Sequence, residues 1–307
     1  GIEPVDQVAL RRALDQCLPD PTNPARNRNR AGWAQSVVAL PDAPPQLWLE
    51  PREPASPPGN VTEQTGPDGR RIWVYRPPGA PPAPAARQPL LVVLDGEVWC
   101  GPQNLAVTLD NLIADNLIEP PLALLVDSGG RDHRWAELDG SGAAPAWIAD
   151  KLVPWALAGL RPASPLAPVR GAAGGEVGLG LGETASDTGG EAAAFVVVAG
   201  QSLGALTALR AALERGDVVR GAIAQSASLW QRDLGAGLAG RDLSGLRAYV
   251  EVGAQEWVLR EPNRRLAQHL AAAGANVHFN EYNGGHDYAC WRGGIADALR
   301  WMLPPRI

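Results

Sequence analysis

A Gly-x-Ser-x-Gly sequence at residues 200–204 constrains this chain more than any other feature. It directly follows the apolar run 195–199, which is typical of a buried β-strand, and it precedes an Ala/Leu-rich segment, 203–215, that is typical of a helix. A strand, a sharp turn that holds a serine, and then a helix form a nucleophile elbow. Both glycines are expected to be required, because a Cβ atom at either would collide with the neighbouring strand or helix. The pattern predicts Ser202 as a nucleophile. The alternative, a small serine in a glycine turn, does not account for the flanking strand and helix.

A serine nucleophile needs a histidine that takes its proton, and the histidine needs an acid that orients it. In α/β-hydrolase folds these partners follow the serine in the order acid, histidine. Of the four histidines, His133 precedes the elbow, His269 falls in a helical pattern and His278 lies in an extended run. His286 lies in the loop after that run, so we predict that it is the base. A solvated loop histidine is the alternative.

The acid should follow the strand between the serine and the histidine. Residues 246–253 read as a strand that runs into a glycine turn, and Glu256 lies three residues past it. We therefore predict Glu256 as the acid. Glu251, inside the strand, and Glu261, near a proline, are weaker candidates. A Ser–His dyad without an acid is the remaining alternative.

An oxyanion hole uses two backbone N–H groups that point at the developing negative charge. One is expected from Leu203, directly after the nucleophile. The second should come from the loop after an earlier central strand. Residues 89–95 form such a strand, so Gly96 or Glu97 is the predicted second donor.

Further short motifs are distributed along the chain, and they cover roughly residues 70–303. They are 94–99 (Leu-Asp-Gly-Glu-Val-Trp), His133-Arg134 with Glu137-Leu138, 199–204, 225–230 (Gln-Ser-Ala-Ser-Leu-Trp), 251–256 and 284–294 (Gly-Gly-His-Asp-Tyr-Ala-Cys-Trp-Arg-Gly-Gly). In these motifs the chain resembles the enterochelin (enterobactin) esterases, the siderophore trilactone hydrolases of the esterase D-like branch of α/β hydrolases. The last motif is the most specific, since generic esterases seldom have Trp-Arg-Gly-Gly after the catalytic histidine.

The resemblance implies an α/β-hydrolase fold, with a mostly parallel central sheet and helices on both faces. The alternation of Val/Leu-rich strands with Ala/Leu-rich helices indicates the same fold class. The resemblance also implies a triad of Ser202, Glu256 and His286, with no cofactor. It implies a cytoplasmic enzyme that opens a catecholate trilactone siderophore, ferric or apo, and so releases iron.

Such a substrate is anionic and aromatic, so cations and flat rings are expected around it. Arg134, which matches the family's arginine ahead of Glu-Leu, is the best candidate for a catecholate contact, and Arg292 is a weaker one. Trp99 and Trp230 are predicted to line the pocket. For Trp291, a position in the core is at least as well supported as one in the pocket.

The organisation of the chain is predicted in two parts. Residues 1–69 are expected to be an N-terminal segment and Pro-rich linker, the remnant of a covering domain. Because the chain begins at Gly1 rather than Met, it is expected to be a trimmed product or a short homologue. Residues 70–307 are the predicted catalytic domain, and they include a low-complexity insertion at 161–193, which is expected to be a surface loop.

Composition restricts the partners that we expect. A net charge of −6 argues against nucleic acid, and no apolar run approaches the roughly 18 residues of a membrane-spanning helix. The three cysteines have neither the density of a disulfide framework nor metal-ligand spacing. No protein partner is implied. Two alternatives to a siderophore esterase are kept: an esterase D-like carboxylesterase for small acyl or aryl esters, and a siderophore-binding protein without catalysis.

Overall fold

The computed structural model describes residues 18–30, 32–41, 43–52, 57–80, 88–159 and 194–305. The predicted insertion at 161–193 lies outside these ranges.

An eight-stranded sheet forms the centre of the described chain. The strands are β1 Arg26–Arg28, β2 Ala34–Ser36, β3 Asn60–Thr65, β4 Arg71–Arg76, β5 Leu90–Leu94, β6 Leu122–Val126, β7 Val196–Gln201, β8 Val219–Gln225, β9 Arg247–Gly253 and β10 Asn276–Tyr282. Their order in the sheet is β10-β9-β8-β7-β5-β6-β4-β3, and a separate hairpin pairs β1 with β2. The first six strands in this order run parallel, whereas β4 pairs antiparallel with both β6 and β3.

Helices cover both faces of this sheet, because the inner strands are apolar on both sides. In β5, Leu90, Val92 and Leu94 face one core, whereas Leu91 and Val93 face the other. The helices are α1 Gly96–Cys100, α2 Leu105–Ala114, α3 Arg131–Leu138, α4 (Ala144–Trp147, a π-helical turn Ile148–Leu152, then Val153–Leu157), α5 Leu203–Glu214, α6 Trp257–Ala272 and α7 Tyr288–Met302. Residues of α4, α5 and α6 pack in the first core, and residues of α1, α2 and α7 pack in the second. The predicted fold class, a mostly parallel sheet between helices, is confirmed.

The N-terminal part contributes more regular structure than its composition predicts. Strand β3 pairs with β4 along its whole length, so the predicted boundary between residues 69 and 70 divides two paired strands of the sheet. Strand β1 contacts α7, and Arg30, between β1 and β2, reaches Asp95 directly after β5. Within the described ranges, no helix is both long and apolar enough to cross a membrane.

Candidate active site

The predicted site residues lie where parallel strands end at one edge of the sheet. Ser202 directly follows β7, Glu256 lies three residues after β9, and His286 lies four residues after β10. Gly96 lies two residues after the end of β5. Ligands of open α/β sheets bind at this carboxyl edge, so the fold gathers these residues where chemistry is expected.

The turn at Ser202 has the strained geometry of an elbow. Its φ of 59° and ψ of −114° are rare for a residue with a side chain. A Cβ on Gly200 would lie 2.4 Å from the backbone carbon of Gly204, so Gly200 is required. A Cβ on Gly204 would instead lie 3.5 Å from its nearest neighbour, Leu94, which is an ordinary contact. The prediction that both glycines prevent a collision is therefore correct for Gly200 and wrong for Gly204.

His286 and Glu256 form a direct pair. The Nδ1 atom of His286 lies 2.6 Å from Oε2 of Glu256; the histidine side chain is 41% exposed and the glutamate side chain 3%. A carboxylate can only accept a hydrogen bond, so Nδ1 carries the proton and Nε2 of the neutral ring keeps a free lone pair. This is the tautomer that a general base needs.

Three donors surround the other oxygen of Glu256. Its Oε1 accepts hydrogen bonds from the hydroxyl of Ser226 at 2.6 Å, the N–H of Gly253 at 2.7 Å and the hydroxyl of Tyr282 at 3.2 Å. Burial alone would raise the pKa of Glu256, but the hydrogen bonds from His286, Ser226 and Gly253 outweigh it and lower the pKa below its usual value. The acid is therefore held ionised at neutral pH.

The hydroxyl of Ser202 is only partly buried, and it contacts a second hydroxyl. Its Oγ lies 3.0 Å from Oγ of Ser228, and the N–H of Ser228 donates to the carbonyl of Ser202 at 3.1 Å. Among the hydrogen bonds of the described residues, none joins Ser202 to His286. In this conformation the hydroxyl of Ser202 therefore contacts Ser228 and not His286.

The predicted oxyanion donors each begin a helix. Leu203 is the first residue of α5, and Gly96 and Glu97 are the first two of α1, so none of these N–H groups has a partner inside its helix. A Cβ on Gly96 would lie 2.3 Å from the backbone carbon of Leu125. Close packing of α1 on β6 is thus a structural reason for glycine at this position.

Asp95, one residue before Gly96, holds this turn in place. It is a non-glycine residue with a left-handed φ of 59° and is almost completely buried. Arg134 binds both of its oxygens, at 2.7 and 2.8 Å, and Arg30 from the N-terminal hairpin lies 2.7 Å from Oδ2. Burial alone would raise the pKa of Asp95, but the two guanidinium groups outweigh it and lower the pKa. A second ionic contact joins Arg30 to Glu97 at 2.7 Å.

No group of three or more His, Cys, Asp or Glu side chains in the described part of the chain is arranged to hold a metal ion.

Comparisons with known proteins find related esterases. The Esterase family matches residues 181–302. The iron(III) enterobactin esterase of Escherichia coli O6:H1 is 29% identical over 96% of this chain and 70% of its own length. The iron(III) enterobactin esterase of Dickeya dadantii is 32% identical over 76% of this chain and 52% of its own length. The crystal structure of the Shigella flexneri enterobactin esterase in the presence of enterobactin superposes with a TM-score of 0.71 and 27% identity, over 97% of this chain and 73% of that one. The chain belongs to the family of the enterobactin esterases.

Trp99, which we expected in the pocket of this esterase, lies in its interior, and so does Trp291. Trp99 is only 1% exposed, because it is on the inward face of α1; it packs in the second core and donates to Oε1 of Gln201 at 2.8 Å. The prediction that Trp99 lines the pocket is wrong. Trp291 is 3% exposed, which confirms its position in the core.

Arg134 of the esterase is buried rather than presented to a ligand. Its Nε and one Nη hold Asp95, and the same Nη lies 3.3 Å from the carbonyl of Gln201. Its charge is neutralised inside the protein, so the structure corrects the predicted catecholate contact to a role in fixing the turns at the ends of β5 and β7.

The other two expected substrate contacts lie on the surface. Trp230 is 58% exposed, packs against Trp135 with ring centres 6.3 Å apart, and follows Ser228 by two residues. Arg292 donates from Nε to Oε1 of Gln46 at 3.0 Å, which directs it towards the N-terminal segment. Trp230 remains a candidate for substrate binding, whereas the contacts of Arg292 give that role no support.

Several residues next to the triad were not predicted as functional. Ser226 and Tyr282 contact Glu256, Ser228 contacts Ser202, and Trp257, directly after Glu256, is 86% exposed. The motif 225–230 marked Ser226 and Ser228 only as part of a resemblance. Their position at the end of a parallel strand next to the elbow strand is the signal that could have identified them. Glu251 is buried in β9 and contacts no residue of the triad.

Proposed function

We propose that this chain hydrolyses the ester bonds of a catecholate trilactone siderophore of the enterobactin type, with Ser202, His286 and Glu256 as its triad. The observation that carries the proposal is the match to iron(III) enterobactin esterases over 96% of the chain, combined with a 2.6 Å His–Glu contact at the same sheet edge as the elbow serine. A relative named iron(III) salmochelin esterase supports the same substrate class.

The first half of the reaction is acyl transfer to the serine. His286 takes the proton of Ser202 at Nε2, and Oγ of Ser202 bonds to a lactone carbonyl carbon. The negative oxygen that forms is stabilised by the N–H of Leu203 and by one N–H from Gly96 or Glu97. The C–O bond of the lactone then breaks, and the imidazolium gives its proton to the departing hydroxyl of the substrate.

The second half releases the acid. Water gives a proton to Nε2 of His286 and attacks the acyl-enzyme carbonyl, and collapse of the second tetrahedral intermediate returns the proton to Ser202. Glu256 stays ionised throughout, because it holds Nδ1–H and stabilises the imidazolium. Each cycle opens one ester, so the macrocycle becomes a linear chain that holds iron less tightly.

Recognition of the substrate is assigned to the exposed rings at the rim. Trp230 and Trp257 present large flat surfaces to solvent within two residues of Ser228 and Glu256. Exposed tryptophan faces suit the packing of catechol rings. We place the enzyme in the cytoplasm, where the released iron is used.

The test is chromatography of enterobactin, with and without iron, after incubation with the protein and with its Ser202→Ala variant. We expect linear trimer, dimer or monomer only with the active serine, while quenching of tryptophan fluorescence shows that the variant still binds the siderophore. Substantial turnover by Ser202→Ala would reject the triad.

Two further outcomes separate the alternatives. If both forms of enterobactin stay intact while p-nitrophenyl acetate is cleaved, the protein is a carboxylesterase for small esters. If a fluorophosphonate probe does not label Ser202 and the siderophore still binds, the protein is a binding protein without catalysis.

A further inference from the structure

Trp291 occupies a buried position beside the His–Glu pair. It lies in the first turn of α7, five residues after His286. Its ring packs against the His286 ring edge to face, with centres 4.7 Å apart and an angle of 84° between planes. Its indole Nε1 donates to Oγ of Ser226 at 3.0 Å.

Ser226 connects this tryptophan to the acid. It is completely buried directly after β8, and its φ of 56° is left-handed, which is rare for a residue other than glycine. Its N–H donates to the carbonyl of Glu251 at 2.7 Å, which fixes the backbone, and its hydroxyl lies 2.6 Å from Oε1 of Glu256. The strained backbone therefore places a hydroxyl against a buried carboxylate.

The direction of these hydrogen bonds follows from the chemistry of the groups. An indole N–H can only donate, so Ser226 accepts from Trp291 and its single proton is left for another partner. The carboxylate of Glu256, at 2.6 Å, is closer than the hydroxyl of Tyr282 at 3.3 Å, and it carries the charge. The hydroxyl of Tyr282 is itself shared between Glu256 at 3.2 Å and the carbonyl of Gly285 at 3.1 Å.

We infer that Trp291 and Ser226 form a directed relay that positions the acid: Trp291 donates to Ser226, Ser226 donates to Oε1 of Glu256, and Oε2 of Glu256 accepts from His286. This inference rests on the proposed function in taking the His–Glu pair as catalytic. Trp291 and Ser226 are both positioning residues, since neither reaches the reacting atoms. The relay keeps Glu256 ionised and aimed at Nδ1, while the ring of Trp291 supports the histidine from the side. It gives the tryptophan of the 284–294 motif a role.

The test is a double-mutant cycle in the full chain. Trp291→Phe keeps a ring against His286 and removes the N–H. Ser226→Ala removes the hydroxyl, and Ser226→Cys keeps a weaker S–H donor without adding a branch at this left-handed, buried position. With p-nitrophenyl acetate as substrate, Ser226→Ala should lower kcat about tenfold with little change in KM, because one charge-assisted hydrogen bond is lost. The double variant should be no slower than Ser226→Ala, and Ser226→Cys should recover part of the rate. Additive losses, or an unchanged kcat in Ser226→Ala, would overturn the relay.

A readout that needs no turnover separates this test from that of the proposed function. The Nδ1 proton of His286 is followed by NMR, and the carboxyl carbon of Glu256 is titrated after ¹³C labelling. In Ser226→Ala, the proton resonance should shift and the pKa of Glu256 should rise, because one hydrogen bond that lowers it is lost. If both stay at their wild-type values, the relay is rejected even when the siderophore is cleaved. If they change and the siderophore is not cleaved, only the substrate assignment fails.

The matched control is Trp48→Phe. Trp48 packs against the same core and donates its indole N–H to Asp115 at 3.0 Å, and no hydrogen bond of the described residues joins it to Ser226, Glu256 or His286. Trp48→Phe should leave kcat and both NMR signals unchanged. Thermal unfolding of each variant identifies any that lose structure, and Ser226→Cys then serves as the folded comparison for the donor.

Discussion

Glu251 provides a sharp test of how the buried sheet responds to pH. It belongs to a row of polar side chains in register across β7 to β10: Gln201, Gln225, Glu251 and Asn280. Nε2 of Gln201 donates to Oε1 of Gln225 at 2.7 Å, and Nε2 of Gln225 donates to Oε1 of Glu251 at 2.6 Å. Longer contacts of 3.4 Å reach its other oxygen from Tyr249 and Asn280. No cation pairs with this carboxyl among the described residues.

Burial raises the pKa of Glu251 to about 7 from its ordinary 4.5, and the like charge of Asp297 acts in the same direction. Between these two values the folded protein keeps a proton that the unfolded chain has lost. The free energy of unfolding therefore falls as pH rises from 4.5 to about 7, and this contribution is level above that. The difference between these two pKa values corresponds to about 3 kcal/mol of unfolding free energy.

Glu251→Gln is expected to remove this dependence, because an amide resembles the protonated acid. Its oxygen can still accept from Gln225, and Asn280 can turn its own amide oxygen towards the new N–H group. The quantity compared is the free energy of unfolding of the variant minus that of the wild type. This difference should be about 3 kcal/mol higher at pH 8 than at pH 4.5.

The assay is urea unfolding followed by tryptophan fluorescence at several pH values from 4.5 to 8.5. The quantity of interest is the difference between variant and wild type, because other titrating groups cancel in it. Glu50→Gln, at an exposed carboxylate, is the control, and its difference should stay flat. A flat difference for Glu251→Gln as well would refute the reasoning that this buried carboxyl takes up a proton in the folded state.

Two further predictions concern the elbow and the triad. Gly200→Ala should lower the free energy of unfolding by about 3 kcal/mol, because the new Cβ would lie 2.4 Å from backbone atoms. Gly204→Ala should lower it by less than about 1 kcal/mol. Urea unfolding of both variants checks this, and equal losses would contradict it. Glu256→Gln should reduce kcat/KM less than His286→Ala does, because the base itself remains. Steady-state kinetics on an aryl ester checks this. An equal or greater loss in Glu256→Gln would make the acid indispensable.

The parts of the fold that were predictable from sequence are those where a local pattern and the tertiary structure agree. The apolar run 195–199 corresponds to β7, and the Ala/Leu-rich segment after the elbow corresponds to α5. The positions of Glu256 and His286 after β9 and β10 also follow from the sequence, because a parallel sheet gathers its carboxyl ends at one edge.

The wrong predictions concern residues whose role depends on burial, which the sequence does not show. Trp99 and Arg134 follow strand ends, as pocket residues would, but their helices turn them towards the core and towards Asp95. The polar sequence of β3 does not alternate strongly enough to reveal a strand, because it lies at the edge of the sheet, with one face exposed and the other only partly buried. A sequence pattern indicates that a residue is near a site, but not which way its side chain points.

Backbone strain occurs at the same edge of the sheet as the triad, where three of the six described non-glycine residues with positive φ lie. Three residues with side chains have a positive φ directly after adjacent central strands: Asp95 after β5, Ser202 after β7 and Ser226 after β8. Such conformations typically cost about 1–3 kcal/mol each, so they persist only where surrounding contacts fix them.

Each strained residue is held by contacts specific to its position. Two guanidinium groups hold Asp95, the carbonyl of Gln225 accepts from the N–H of Ser202 at 3.0 Å, and the carbonyl of Glu251 accepts from the N–H of Ser226. Gln225 and Glu251, whose carbonyls accept these two hydrogen bonds, also belong to the buried polar row. These two residues therefore connect that row to the strained turns. A change in the protonation of Glu251 would therefore act on the strand end that carries Ser226, and through Ser226 on Glu256. For this reason, we expect the rate of Glu251→Gln to depend less on pH near 7 than that of the wild type.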